Sequence, residues 1–294
     1  MIAYQRARTA EDVWATGTAA QGVAQLYSEM GRPEQVREWV DRCRLHLERL
    51  NAGEDLLQLD WTEAMSDVAL GRQQGAEEVF RRLIVAEPAN EDRDGLSFRA
   101  LGFISLAEVA AADGDLARWQ QLYSQAEQVW GPASIGAGSW WYYGAAGGVL
   151  VASARNGTAL APETARIARR VRRRLVLADR VRPAVTVDRP MSGLAALGLA
   201  VWLLAPERGD DPGLRAAAQE ILALAHAVGA RQNFPSLSWA AVTTVVLGWH
   251  PDLDLTGAQR RAGELAMAVR WDRLVELIRS VRIDLGAVPP GPRP

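Results

Sequence analysis

The stretch Gly95–Trp130, GLSFRALGFISLAEVAAADGDLARWQQLYSQAEQVW, contains two helix-forming segments that meet at Asp113-Gly114-Asp115. Glycine readily adopts the left-handed backbone conformation that ends many helices, and an aspartate after it can accept hydrogen bonds from the first amides of the next helix. The stretch therefore predicts a hairpin of two helices, from Gly95 to Ala112 and from Leu116 to Trp130.

Similar breaks divide the rest of the chain at intervals of roughly 40 to 50 residues. They are Met30-Gly31-Arg32-Pro33, Gln74-Gly75-Ala76, Asn156-Gly157-Thr158, Arg208-Gly209-Asp210 and His250-Pro251-Asp252. Repeats of this length, each two helices long, are typical of α-solenoids, in which every unit buries one face on the next. We predict an all-α, right-handed α-solenoid of about six helical hairpins over residues 1–286. A weak boundary is expected near 180–190, and a disordered tail at 287–294.

The composition and the apolar spacing favour helices throughout. The chain is 49% hydrophobic, with abundant alanine and leucine, and its best strand candidate, residues 184–187, is interpreted as an extended linker. The remaining predicted helices are Glu11–Met30, Pro33–Leu50, Leu56–Arg72, Ala76–Ala86, Ser139–Ala154, Ala161–Ala178, Met191–Leu204, Pro212–Val228, Ser236–Leu247, Thr256–Val269 and Asp272–Ile283.

Charge and cysteine content limit the classes of function. The net charge is -2 and the pI is about 6.0, so we expect no direct DNA binding by this chain. Cys43 is the only cysteine, which excludes an internal disulfide and fits a reducing cytoplasm. The longest apolar run, near Leu194–Ala205, is too short to cross a bilayer. We therefore expect a cytoplasmic protein without membrane association, and we predict no cofactor.

A resemblance to a known family is found in the second half of the chain. Asp188-Arg189-Pro190 precedes Leu194–Ala200, and Arg215–Ala218 precedes Leu222–Ala225. This region is similar to the C-terminal, tetratricopeptide-like helical arrays of actinobacterial SARP-type and large LuxR-type transcriptional regulators. The resemblance implies a sensory or protein-binding module of such a regulator, acting with fused regulatory domains or a partner protein. The chain departs from the family because it has neither a phosphate-binding loop nor a recognisable helix-turn-helix unit.

An arginine-rich helix is the first candidate site. Residues 155–182 contain nine arginines and two acids, a net charge of +7, so the rest of the chain sums to -9. Arg166, Arg169, Arg170 and Arg173 are the candidate residues for docking phosphate or an acidic partner, and we favour an acidic protein surface. The alternative is a solvated helix face that is paired with acids of neighbouring helices.

Four consecutive aromatic residues form the second candidate. Trp140, Trp141, Tyr142 and Tyr143 spread around a helix at about 100° per residue, so they cannot all face one neighbour. We predict that they contribute to a concave pocket for a small-molecule effector or a partner protein. The alternative is core packing between adjacent repeats.

Catalytic and metal-binding patterns are weak. Cys43 and His46 lie one helical turn apart, but a zinc site needs three or four ligands, and we interpret Cys43 as a structural residue. No pattern pairs carboxylates for acid–base chemistry. The leading hypothesis is thus a ligand- or partner-binding module of a bacterial transcriptional regulator, with no enzymatic activity. A stand-alone protein scaffold and an α-helical enzyme are the alternatives.

Overall fold

A computed structural model describes residues 1–85, 97–130, 139–181, 188–209 and 211–283, and all of the regular structure in these ranges is helical. The prediction of an all-α fold is therefore confirmed. Two single-turn 3-10 helices, Pro206–Arg208 and Pro235–Leu237, accompany the α-helices. The α-helices are α1 Ile2–Thr9, α2 Val13–Glu29, α3 Pro33–Arg49, α4 Gly53–Ala69, α5 Ala76–Val85, α6 Phe98–Ala112, α7 Leu116–Trp130, α8 Ser139–Arg155, α9 Pro162–Val181, α10 Arg189–Leu203, α11 Pro212–Ala227, α12 Trp239–Trp249, α13 Leu255–Glu264 and α14 Met267–Ser280.

The turns between helices use the glycines that the sequence singles out. Gly114 has φ of 76°, in the left-handed region that a side chain strongly disfavours. Aspartate and serine side chains cap several of the helices. Asp211 accepts hydrogen bonds from the amides of Gly213 and Leu214 at the start of α11, and Ser97 accepts one from Ala100 at the start of α6.

Helices from α1 to α8 pack in chain order, each against the next one, and α2 and α4 also contact the helix two places further on. The pattern changes at α8, which packs against α10 as well as against α9. At the C-terminal end α11 contacts both α13 and α14, and α14 also contacts α9. Most buried side chains from α4 to α14 form one cluster, while a smaller cluster joins α1 to the start of α4.

Helices α8 and α10 approach each other closely enough for their backbones to touch. A Cβ atom on Gly198 would lie 2.5 Å from the carbonyl oxygen of Gly147, and one on Gly147 would lie 2.8 Å from the carbonyl oxygen of Leu194. Only hydrogen fits at these positions, so the glycines permit the backbone contact. This contact fixes α10 against α8.

The largest differences from the sequence prediction lie at the N-terminus and between α13 and α14. Helix α1 is absent from the predicted helices, although Tyr4 is buried in the N-terminal cluster against Trp39. The predicted end of the helix Thr256–Val269 and the predicted start of the helix Asp272–Ile283 are wrong, because α13 ends at Glu264 and α14 begins at Met267. At this break the guanidinium of Arg270 donates to the carbonyls of residues 263, 265 and 227. These bonds satisfy carbonyls at the end of α13, whose C-cap residue is Leu265, so the helix can end without a glycine at its C-cap.

Some predictions concern residues outside the described ranges. These are the linker at 184–187, most of the boundary near 180–190 and the tail at 287–294. Within the described ranges, no helix has the length and apolar character needed to cross a membrane.

Candidate binding surfaces

The loop between α11 and α12 is largely buried, although it contains only one short 3-10 helix. We call residues 229–238 the docked segment. Phe234 and Leu237 belong to the main core, and Arg231 and Asn233 are each only 6% exposed. The sequence patterns do not identify this segment as a site. A buried loop carries backbone polar groups that need partners, so its contacts show which helices hold it.

Backbone amides attach the docked segment to α2 and α10. The N–H of Gln232 donates to the carbonyl of Glu29 at 2.9 Å, and the N–H of Arg231 donates to the carbonyl of Pro190 at 3.3 Å. Glu29 is the last residue of α2, where carbonyls have no partner within the helix. The bond from Gln232 to Glu29 therefore gives a partner both to an amide of the segment and to a free carbonyl at the end of α2.

The guanidinium of Arg231 joins three helices. Its Nη2 lies 3.0 Å from the carboxylate of Glu29 and 3.7 Å from that of Asp188, which caps α10. The same group lies 5.1 Å from the ring centroid of Trp141 in α8. Burial of a charged group lowers stability unless the charge is paired. The carboxylates of Glu29 and Asp188 therefore favour a cationic side chain at this position of the segment. Among the described residues, Nε of Arg231 and Oδ1 of Asn233 are buried and have no hydrogen-bond partner.

Glu108 in α6 holds the other end of the docked segment. Its carboxylate accepts hydrogen bonds from the amide of Ser236 at 2.7 Å, the hydroxyl of Ser236 at 2.6 Å and the hydroxyl of Tyr123 at 2.5 Å. Burial raises the pKa of Glu108 above its ordinary value, while the bonds from Ser236 and Tyr123 oppose that change. All three donors point at the Glu108 carboxylate. An apolar side chain at this position would leave them without an acceptor.

This raised pKa predicts a pH-dependent effect of Glu108→Gln. The folded state holds the Glu108 proton more tightly than the unfolded state, because its pKa is raised. The contribution of Glu108 to the free energy of unfolding therefore falls as pH rises from about 4.5 through the raised pKa. Glutamine does not titrate, so the difference between the two proteins should move in favour of the variant over this window. Urea unfolding at a series of pH values measures it, and a pH-independent difference would contradict the prediction.

The aromatic stretch lies at the start of α8, and its residues differ in burial. Tyr142 and Tyr143 are buried at 0% and 4% exposure, and burial raises the pKa of each to about 12. Trp141 is half-buried and meets Trp61 edge to face, with ring centroids 5.8 Å apart. The side chain of Trp140 lies outside the described part of the structure. The pocket predicted for this stretch stays a prediction, with Trp141 as the ring that contacts the docked segment.

Some arginines of α9 contact neighbouring elements, and others are exposed to solvent. On one flank, Nη1 of Arg170 lies 2.6 Å from Oε1 of Glu127, and the Arg174 guanidinium lies 4.0 Å from the ring centroid of Tyr142. On the other flank, Arg172 donates to the carbonyls of residues 278 and 279 at the end of α14. These three side chains fasten α9 to its neighbours. Among the other α9 arginines whose side chains the structure describes, three are exposed, and we call them the arginine stripe: Arg166, Arg169 and Arg173.

The division predicts different effects for two neighbouring substitutions. Arg172→Gln should lower the free energy of unfolding by about 1–2 kcal/mol, because it removes charge-assisted bonds to the end of α14. Arg173→Gln should change it by no more than about 0.5 kcal/mol, since the side chain is exposed. Chemical denaturation of both variants compares them directly. Equal losses would show that the two arginines do not differ in structural role.

Cys43 and the possible metal ligands are placed as follows in the described residues. Cys43 is buried, its thiol donates to the carbonyl of Gly17 at 3.3 Å, and burial raises its pKa to about 11. The described ranges contain no group of three or more histidine, cysteine, aspartate or glutamate side chains placed to hold a metal. An open depression of about 520 Å³ includes none of the predicted site residues and is lined by Ala117, Gln120, Gln121, Ser124, Asn156 and Thr158.

Comparison with known proteins found no matching family model, no similar curated protein and no similar solved structure. The similarity to SARP-type and LuxR-type regulators therefore stays a prediction from sequence.

Proposed function

We propose that this chain is a protein-binding helical array, and that the helices which hold the docked segment form its binding surface. The proposed architecture is a right-handed solenoid of about six hairpins. Packing in chain order from α1 to α8, together with contacts between α2, α4 and α6, supports this arrangement. In it, α2, α4, α6, α8 and α10 line one face, and residues 229–238 lie along that face.

The observation that carries the proposal is the way in which the docked segment is held. Its contacts with the array are of the kinds by which proteins bind extended polypeptide: backbone hydrogen bonds, one paired cation and buried apolar side chains. Arg231 provides the cation, Phe234 the apolar anchor, and Ser236 two donors to one carboxylate. A partner segment with a cation, an aromatic residue three positions later and a hydroxyl two positions after that would satisfy the same groups.

The regulatory part of the proposal rests on the sequence resemblance of residues 188–225. By that resemblance the array is the sensory or partner-binding module of a bacterial transcriptional regulator. Binding of a partner segment or a small-molecule effector in place of residues 229–238 would then be its signal. A stand-alone scaffold would use the same surface without coupling it to other domains.

A synthetic peptide that copies residues 229–239 tests the binding surface. In a variant with Arg231→Ser and Phe234→Ser, the chain's own segment loses its cation and its anchor. The labelled peptide should bind this variant saturably in fluorescence anisotropy. It should bind the wild-type protein far more weakly, because the site there is occupied.

Two controls make the result specific. A peptide with glutamate in place of its arginine should fail to bind, since it would face Glu29 and Asp188. Circular dichroism must show that the variant keeps its helices, and Arg231→Ser alone is the substitute if the double variant unfolds. Absence of peptide binding to a folded variant would contradict the proposal.

A further inference from the structure

The arginine stripe, Arg166, Arg169 and Arg173, forms one continuous line on α9. At about 100° and 1.5 Å per residue, the three positions lie within an arc of about 60° and span roughly 10 Å of helix axis. Leu177 continues the line by one further turn and is 42% exposed. The opposite face of α9, which includes Ala168, Val171 and Leu175, is buried in the main core.

The stripe keeps its charge available because its contacts are local. Arg166 meets Glu163 of the same helix at 3.4 Å, an exposed pair of small energetic weight. Nε of Arg169 donates to the carbonyl of Ala165 at 3.4 Å. Within the described ranges, no carboxylate lies within ion-pair distance of Arg173.

The helix that carries the stripe is firmly attached on both sides. Arg170 and Arg172 fix its flanks to Glu127 and to the end of α14. A rigid helix loses little backbone freedom when a partner binds to its exposed face. The stripe therefore has the charge, the exposure and the rigidity of a docking surface.

We infer that the stripe docks an acidic helix of a partner protein. A helix with carboxylates at i, i+3 and i+7 repeats the spacing of the three guanidinium groups, and an apolar residue at i+11 meets Leu177. The exposed leucine in line with the arginines fits a protein better than a phosphate backbone. The net charge of -2 also opposes approach to nucleic acid. This surface is distinct from the one that holds residues 229–238, so either proposal can fail alone.

The test uses a labelled, alanine-based helical peptide with glutamates at i, i+3 and i+7 and a leucine at i+11. Fluorescence anisotropy should show binding to the wild-type chain that weakens as salt increases. Replacing the three arginines of the stripe by glutamine should weaken binding by roughly tenfold or more. If the three arginines are instead replaced by glutamate, the protein should lose the acidic peptide. It should then bind a peptide in which lysines replace the peptide's glutamates.

A matched control removes three exposed arginines elsewhere and changes the net charge by the same amount. Binding of the acidic peptide should stay within about twofold of wild type in this control, whose substitutions are Arg8→Gln, Arg49→Gln and Arg260→Gln. Equal loss in both triple variants would overturn the proposal, because the effect would then follow net charge alone. Failure of the acidic peptide to bind would also overturn it. So would tighter, stripe-dependent binding of duplex DNA than of the peptide.

Discussion

Gly198→Val is expected to lower the free energy of unfolding by about 3 kcal/mol or more. A Cβ atom at this position would lie within 3 Å of three backbone atoms of Gly147. Backbone atoms cannot move to another rotamer, so α8 and α10 must separate, and the side chains that pack across them lose contact. Thermal or urea unfolding followed by circular dichroism measures the loss.

Gly22→Ala is the control for this prediction. Gly22 lies within α2 and is exposed, and a Cβ atom added to it would meet no atom within 4 Å beyond its own helix backbone and chain neighbours. Alanine should stabilise the helix here by up to about 1 kcal/mol. A Gly198→Val variant as stable as the wild type would show that α8 and α10 are not in backbone contact.

The second large effect is expected for Phe234→Ala. The ring is 1% exposed within the main core, and its removal should take about 3–5 kcal/mol from the docking of residues 229–238. We expect the segment to leave its site while the helices stay folded. Far-ultraviolet circular dichroism should change little, and limited proteolysis should cut between α11 and α12.

Leu247→Ala provides a comparison in the next helix. Leu247 is 38% exposed, so its truncation should cost far less and leave the loop resistant to proteolysis. If Phe234→Ala instead unfolds every helix together, the segment is part of one cooperative core. That result would contradict the view that it occupies a separable site.

The turns between helices could be predicted from sequence because each depends on residues that are adjacent in the chain. Gly31, Gly75, Gly114, Gly157 and Gly209 all have positive φ, as their places in the predicted turns require. Local sequence patterns do not predict a helix end when the group that satisfies its last carbonyls comes from a side chain outside the turn. The carbonyls at the end of α13 are satisfied by Arg270, which lies within a stretch that keeps helical apolar spacing.

The candidate sites were less accessible to sequence reasoning. The sequence identifies the arginines of α9 as a group, yet only tertiary contacts separate Arg170, which pairs with Glu127, from Arg173. The docked segment has no local signature because its partners are distant in the chain. Ser236 and Glu108 are 128 residues apart, and no spacing rule connects them.

Residue-resolved hydrogen exchange on the wild-type chain tests the central claim most directly. The amides of Gln232 and Ser236 donate to Glu29 and Glu108, so both should be protected from exchange. If residues 229–238 occupy a binding surface, these amides should exchange through local opening, at a lower free energy than the amides of α10 in the core. Two distinct levels of protection are therefore expected. A single level, with the segment opening only when α10 unfolds, would contradict it.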